Sequence, residues 1–311
     1  MKLSEVKSKF EKGIISKHDF IEEMYKSHAQ LFEYINFLKG NGISKIEISN
    51  QSVVMSMNPV LGNGEIKINC ITNDKRTTAL EILNFGTYEQ DDALLLFNLT
   101  ESDFTIFDIG ANIGWYSLNF SGILKNGIIY SFEPIPVTLE NFRKNLLLNN
   151  VSNVKPFNIA LSNSNGDLDF YYNPDELGAS SARNIKELDQ ITKVKCRTQT
   201  LDSFCNENTI TKLDLIKCDV EGGELFVFEG GRDTIKKYQP IVFTEMLRKW
   251  SAKFDYHPNK IIKYFSELDY KCFIVNKNKI IEINEVTEDT VETNFIFLHP
   301  VKHAEKIKKY S

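Results

Sequence analysis

The 311-residue chain is short of the residues that staple, anchor or attract strongly charged partners. Its five cysteines, Cys70, Cys196, Cys205, Cys218 and Cys272, are odd in number and widely spaced, with no CxxC pair. That spacing builds neither a disulfide framework nor a tetrahedral zinc site. Reduced, mostly buried thiols in a cytoplasmic protein are the expectation. Apolar runs are brief, as at residues 93–97, so no membrane span is expected. Residues 1–13 are charged throughout and carry no apolar core, which argues against a cleaved leader. Prolines are few, and no repeat or low-complexity tract is present. Positive charge has no stripe: the net charge is −5, and the one basic cluster, at 302–309, reads as a solvated end. Phosphate backbones need clustered Lys and Arg, so nucleic acid is excluded as the main partner.

What is present is ordinary globular material, 42% hydrophobic and 25% charged. Residues 1–40 read as helical, with Phe20, Met24, Leu31, Ile35 and Leu38 on one face. Residues 45–71 alternate apolar and polar residues between turn signals, which predicts a small antiparallel meander. Residues 77–97 return to helical character, broken near Gly86. From residue 104 the pattern alternates. Strands are expected at 104–109, 127–132, 153–161, 213–218, 240–244, 270–275 and 294–298, with an extra strand at 279–283. Helices are expected at 113–124, 136–149, 222–237 and 258–268. Residues 168–172 and 194–198 read as a hairpin around a polar excursion. Such alternation means a mainly parallel sheet covered on both faces, closed by an antiparallel pair at one edge. The expected division is an extension of helix and meander at 1–75, followed by an α/β domain at 76–311.

In such a sheet, ligands bind beyond the carboxyl ends of the strands. The first strand carries Asp108 and runs into Gly110-Ala111-Asn112-Ile113-Gly114. A strand, a glycine turn and a helix form a cradle of the nucleotide type. Glu133 ends the second strand, 23 residues after Gly110, where a carboxylate can accept hydrogen bonds from a ribose diol. The run Asp219-Val220-Glu221-Gly222 follows the fourth strand and Glu245 ends the fifth. Asn112 stands where the second glycine of G-x-G-x-x-G would be, which disfavours a pyrophosphate and with it a nicotinamide oxidoreductase. A ligand with a ribose but no pyrophosphate fits better, and S-adenosylmethionine is the commonest such cofactor.

Five motifs in order are Asp108-Ile109-Gly110-Ala111-Asn112-Ile113-Gly114, Phe132-Glu133-Pro134, Ile159-Ala160-Leu161-Ser162, Thr200-Leu201-Asp202 and Asp214 through Glu224. Together they resemble the FkbM family of S-adenosylmethionine-dependent methyltransferases over roughly residues 86–300. The resemblance implies a Rossmann-like, class I methyltransferase sandwich: a mainly parallel seven-stranded sheet with its last strand antiparallel. It implies that Gly110, Asn112 and Gly114, with Asp108 and Ala111 in the same turn, line the methionine and ribose portion of the cofactor. Glu133 would bind the ribose hydroxyls and the segment from Asn158 to Ala160 would lie beside adenine. Tyr88 and Glu89 resemble the family's Tyr-Glu pair and would close over the methionyl end. Residues 1–75 lie outside the resemblance.

Methyl transfer needs a nucleophile placed in line with the sulfonium and a group to remove its proton. Asp219, Glu221 and Glu245 are candidates to hold a substrate hydroxyl, act as base, or bind a divalent metal, which the sequence allows without requiring. Glu221 has the alternative of capping the next helix, and Glu224 reads as a first-turn structural acid. His257, before a helix, is a further base candidate or a capping residue. Lys217 points toward the same end, or forms a buried ion pair. Ser180, Ser181 and Arg183 are candidate acceptor contacts. The expected function is O-methylation of a sugar or other polyhydroxylated small molecule in glycan or natural-product biosynthesis. The alternative is a non-catalytic scaffolding protein of the same fold, and the N-terminal region is a candidate homodimer module.

Overall fold

The computed structural model describes residues 2–72, 74–173, 176–183 and 191–311, for 176–179 the backbone only. The chain opens with helices α1 (Leu3–Glu11) and α2 (Lys17–Phe37), then a meander of β1 (Ile43–Ile48), β2 (Val53–Met57) and β3 (Ile66–Cys70). The helical region expected over 1–40 is thus a pair of helices, α1 and α2. Ser16 starts the second by accepting a hydrogen bond from the Asp19 N–H at 3.1 Å. Helices α3 (Thr78–Phe85) and α4 (Gln90–Leu99) follow, with Gly86 ending α3 in the left-handed region at φ 85°.

The α/β part runs β4 (Thr105–Ile109), α5 (Trp115–Ile123), β5 (Ile128–Phe132), α6 (Pro136–Leu148), β6 (Val154–Phe157) and β7 (Ala160–Leu161). It continues with β8 (Gly166–Asn173), β9 (Glu176–Ser181), β10 (Thr192–Gln199), α7 (Leu201–Glu207), β11 (Leu215–Cys218), α8 (Glu224–Glu229) and α9 (Arg232–Tyr238). It ends with β12 (Ile241–Glu245), α10 (Arg248–Ser251), α11 (Asn259–Ser266), β13 (Lys271–Asn276), β14 (Lys279–Ile283), β15 (Asn294–Leu298) and α12 (Ala304–Tyr310).

The large sheet has the order β14-β13-β15-β12-β11-β4-β5-β6. Its central strands pair in parallel, and β15 inserts antiparallel between β12 and β13. This is a Rossmann-like sandwich of seven strands. The expected extra strand, β14, adds an eighth antiparallel to β13 at the edge. Two apolar clusters cover its faces, one with Phe97, Trp115, Phe120 and Phe142 and the other with Phe107, Phe204, Phe228 and Phe265. The meander belongs to the first cluster through Ile43, Met55, Met57 and Ile68. It is also stitched to α5 and α6: Asn119, Asn145 and Asn149 accept backbone N–H bonds from Val60, Asn69 and Lys67 at 2.8–2.9 Å.

Three local readings change. The strand expected over 153–161 divides at Asn158: β6 stays in the large sheet, while β7 joins a second sheet ordered β7-β10-β8-β9. The cause is side-chain chemistry, because Asn158 Nδ2 donates to the Glu133 and Pro134 carbonyls at 3.0 and 2.8 Å and bends the chain. The helix expected over 222–237 breaks at Gly230-Gly231, where a Cβ on Gly230 would lie 2.1 Å from the Ser162 carbonyl oxygen. The basic tail forms α12, which docks by Lys306, whose Nζ donates to the Leu99 carbonyl and Glu101 at 2.9 and 2.7 Å. The expected hairpin is present as β8 and β10. The polar excursion between them is described only in part, since 174–175 and 184–190 lie outside the described residues.

Candidate active site

Adjacent strand ends β5, β4, β11 and β12 all release their chains at one edge of the sheet, and a cavity of about 590 Å³ opens above them. That volume lies in the range of small-molecule sites. Its wall includes Tyr88, Glu89, Gly110, Asn112, Glu133, Ala160, Asp219, Glu221 and Glu245, so nine of the sequence-predicted residues converge here.

The β4–α5 turn forms the floor. Gly110 has φ 73°, and a Cβ there would fall 1.7 Å from the Asp219 carbonyl oxygen. Only glycine lets the β4 and β11 turns approach so closely. The Gly110 and Ala111 N–H groups both donate to the Phe132 carbonyl at 3.0 Å. Lys217 supports the turn from below, donating to the Gly110 carbonyl at 2.9 Å. Its Nζ lies 3.6 Å from both Asp108 Oδ1 and Asp219 Oδ2. Burial opposes the Lys217 charge, but Asp219 and Asp108 outweigh it and raise its proton affinity. Asp108 is fully buried, and its Oδ2 accepts from Ser117 Oγ at 2.6 Å. Burial raises the Asp108 carboxyl, and Lys217 works against that rise.

Glu133 is 6% exposed, and both its oxygens are fixed by backbone. Oε1 accepts from the Ile135 N–H at 2.9 Å and Oε2 from the Asn112 N–H at 3.1 Å. Each oxygen keeps a second lone pair. Burial pushes the carboxyl up to about 7, against the pull of those two N–H groups. Asn112 itself is held at φ 50°, and its buried Oδ1 has no hydrogen-bond partner among the described residues.

The opposite end is acidic. Glu89 has φ 44° and accepts a 2.5 Å hydrogen bond from Tyr116 Oη. Burial raises the Glu89 carboxyl, and Tyr116 moderates the rise. Glu221 sits at φ 55° in the β11–α8 loop, with its carbonyl accepting from Ser181 Oγ at 2.9 Å. Glu245 is raised well above the carboxylate range, first by burial and then by Asp219 and Glu221. Glu224 is structural: its Oε1 accepts from the Val220 and Gly222 N–H groups at 3.0 Å and clamps the loop.

Several expected residues stand elsewhere. His257 is exposed outside the cavity, where its Nδ1 accepts from the Asn259 N–H at 3.2 Å at the start of α11. Asn158 is not on the wall, because both its amide hydrogens hold the 133–134 turn. Asp108, Ala111 and Lys217 lie beneath the wall, and Gly114 begins α5 against the Phe142 ring. Asp219, Glu221 and Glu245 all line the cavity, and among the described residues no group of three or more His, Cys, Asp or Glu side chains is placed to hold an ion.

Ser180 and Arg183 reach the wall. Arg183 lies 5.1 Å over the Phe254 ring and donates to the Lys253 carbonyl and, at 3.1 Å, to Asp255. Sequence reasoning missed the aromatic side, Phe226, Trp250 and Phe254, and the Tyr116 that fixes Glu89. Trp250 carried a findable signal, standing five residues beyond the end of β12. Tyr116 carried none, because only the packing of α5 under α4 brings it to Glu89.

The order of strands and the antiparallel β15 inserted between β12 and β13 define a Rossmann-like sandwich with the sheet topology of class I methyltransferases, with carboxylates at several of its strand ends. The methyltransferase FkbM domain matches residues 108–272, over half of the chain, and the chain belongs to that family. The 2-O-methyltransferase NoeI of Sinorhizobium fredii is 29% identical over 47% of this chain and 65% of its own length. The hexuronic acid methyltransferase AglP of Haloferax volcanii is 27% identical over 50% of this chain and 61% of its own. Methyltransferase 1 of Beauveria bassiana is 30% identical over 41% of this chain and 58% of its own. The chain thus spans about 60% of the length of these curated relatives. A crystal structure of methyltransferase FkbM from Methylobacillus flagellatus KT is similar at 14% identity and a TM-score of 0.42, over 64% of this chain and 44% of that one. No helix among the described residues is long and apolar enough to cross a membrane.

Proposed function

We propose that the protein is an S-adenosylmethionine-dependent O-methyltransferase acting on a hydroxyl of a sugar or another polyhydroxylated small molecule, in glycan or natural-product biosynthesis. The observation that carries this reading is Glu133: a buried carboxylate, fixed by two N–H groups, with lone pairs left over in the cavity. The residues fit the cofactor. Asn112 Oδ1 is an acceptor without a partner in the same wall, and the glycine floor leaves backbone open to close approach. Glu133 would hold the ribose diol, Asn112 and Gly110 the ribose and methionine portion, and Ile159 and Ala160 one side of the adenine. Tyr88 and Glu89 would bound the methionyl end. Bound there, the cofactor supplies a methyl group already activated on a sulfonium.

The chain's own residues then have three tasks. Asp219, Glu221 and Glu245 face the acceptor end of the cavity and bind hydroxyls as hydrogen-bond acceptors. Glu245 is assigned as the proton acceptor, since it ends β12 on the cavity wall and burial beside Asp219 and Glu221 raises its proton affinity above that of an ordinary carboxylate. Glu245 must be ionised to accept the hydroxyl proton, and the positive charge that a bound sulfonium would bring to the cavity would favour that form. Trp250 and Phe254 line an apolar side of the cavity, against which the acceptor would pack and displace water. The name of NoeI, a 2-O-methyltransferase, supports transfer to oxygen, and that of AglP, a hexuronic acid methyltransferase, supports a sugar acceptor.

Calorimetry with S-adenosylmethionine tests the cofactor, with micromolar binding expected and no binding refuting it. A panel of nucleotide sugars and free glycosides with tritiated cofactor tests the acceptor. Turnover of apolar phenols alone would refute the polyol assignment.

A further inference from the structure

Helix α2 is 21 residues long, and none of them is buried. A helix of that length gains most of its stability by packing an apolar face against something. Helix α1 leans on its N-terminal half, where the Phe10 and Phe20 rings stack 4.5 Å apart. The other face is bare and regular: Ile21, Tyr25, His28, Phe32 and Ile35 follow in steps of four, three, four and three. Ile21 is 53% exposed, Tyr25 and Phe32 61%, and Ile35 62%. A strict 4-3 alternation has a period of 3.5, which belongs to a helix facing another helix along its length.

We propose that this seam is a homodimer contact, in which α2 packs antiparallel against α2 of a second copy about a two-fold axis near residue 30. Self-pairing is favoured because a heptad seam is complementary to itself, and a two-fold closes the contact with no seam left open. The area suits it. The seam and the flanking Leu31 expose roughly 600 Å² per copy, so a pair would bury about 1,200 Å², the size at which stable interfaces begin. The flanks suit it as well. In a register that sets Tyr25 against the partner's Ile35 and His28 against the partner's Phe32, Ala29 meets the partner's Ala29 and Glu22 meets the partner's Asn36. No like charges then oppose each other. Each α/β domain hangs from the C-terminal end of its own α2, so the antiparallel arrangement sets the two domains at opposite ends.

Sedimentation velocity of the full chain, from one to tens of micromolar, tests the proposal. The wild type is expected to sediment as a dimer. A Phe32→Glu/Ile35→Glu variant is expected to be monomeric, its dimer weakened at least tenfold, with the thermal transition of the α/β domain unchanged. Ala29→Cys, treated with a short bismaleimide beside a wild-type blank, is expected to cross-link two copies. A wild type that is monomeric at every concentration overturns the proposal, and so does a dimer that survives the double substitution. A dimeric Ala29→Cys protein that does not cross-link overturns the antiparallel arrangement and the contact with it.

Discussion

Glu133→Gln separates ligand recognition from folding within one side chain. Glutamine keeps one carbonyl acceptor for either the Ile135 or the Asn112 N–H, which now bond Glu133 at 2.9 and 3.1 Å. The other N–H then faces an amide NH₂ and goes unsatisfied, at a cost of about 1–3 kcal/mol. Against this, burial holds the Glu133 carboxyl at about 7 instead of 4.5. At roughly 1.4 kcal/mol for each pH unit, ionised Glu133 costs the fold about 3 kcal/mol at pH 8, a penalty that glutamine avoids. The two effects nearly cancel there, and the melting temperature is expected to stay within about 5 °C of wild type. Between 4.5 and 7 the folded wild type binds more protons than the unfolded chain, so its stability falls as pH rises through that window. The variant lacks this slope and is therefore less stable than wild type near pH 5. Ligand binding has no such compensation. Two ribose hydroxyls lose a charged acceptor, worth about 1.5–3 kcal/mol, or roughly 10- to 150-fold in affinity. Calorimetric titration with S-adenosylmethionine at pH 8, with melts at pH 5 and 8, measures both. A variant that binds as tightly as wild type refutes the assignment of Glu133 to the ribose, and a melting curve that keeps the wild-type pH slope refutes the electrostatic account.

Further expectations concern the floor and the acidic end. Gly110→Ala places a Cβ 1.7 Å from the Asp219 carbonyl at φ 73°. A loss of about 3 kcal/mol or more is expected, and a variant melting within a degree or two of wild type would show that the two turns can separate freely. Glu245 holds its proton above the carboxylate range, so wild-type stability falls as pH rises from 4.5 toward the folded value. Glu245→Gln is therefore expected to melt higher than wild type at pH 8, with the difference shrinking toward pH 5, while methyl transfer drops about 10²-fold or more. A variant less stable than wild type at pH 8, or fully active, contradicts the role given to this acid.

The large sheet was readable because each of its strands is marked locally, by an apolar stretch with a turn on either side. The exceptions are instructive. The 153–161 segment reads as one strand, since nothing in its composition reveals that Asn158 has two carbonyl partners some 25 positions earlier. The 222–237 helix reads as continuous because its apolar pattern continues across Gly230-Gly231, and the interruption comes from the Ser162 carbonyl pressing on it. Within the site, residues at strand ends were legible as a set. Their division of labour was not. Lys217, Asp108 and Asp219 gather at the ends of the same two neighbouring strands, yet Lys217 and Asp108 lie below the wall and Asp219 lies on it.

The sequence by itself determined the α/β class, the strand edge at which the cavity lies, and Gly110, Asn112, Glu133, Asp219 and Glu245 as its wall. It could do so because glycines at positive φ and carboxylates at strand ends are requirements of the local backbone, written within a few residues of where they act. Tertiary structure alone decided that His257 caps a helix, that Asn158 serves a turn, that Tyr116 fixes Glu89, and that Trp250 and Phe254 close one side. It alone left the seam of α2 bare. Those outcomes depend on how helices and loops far apart in the chain stack on the sheet, and on which way each side chain then points, and neither is encoded in local spacing.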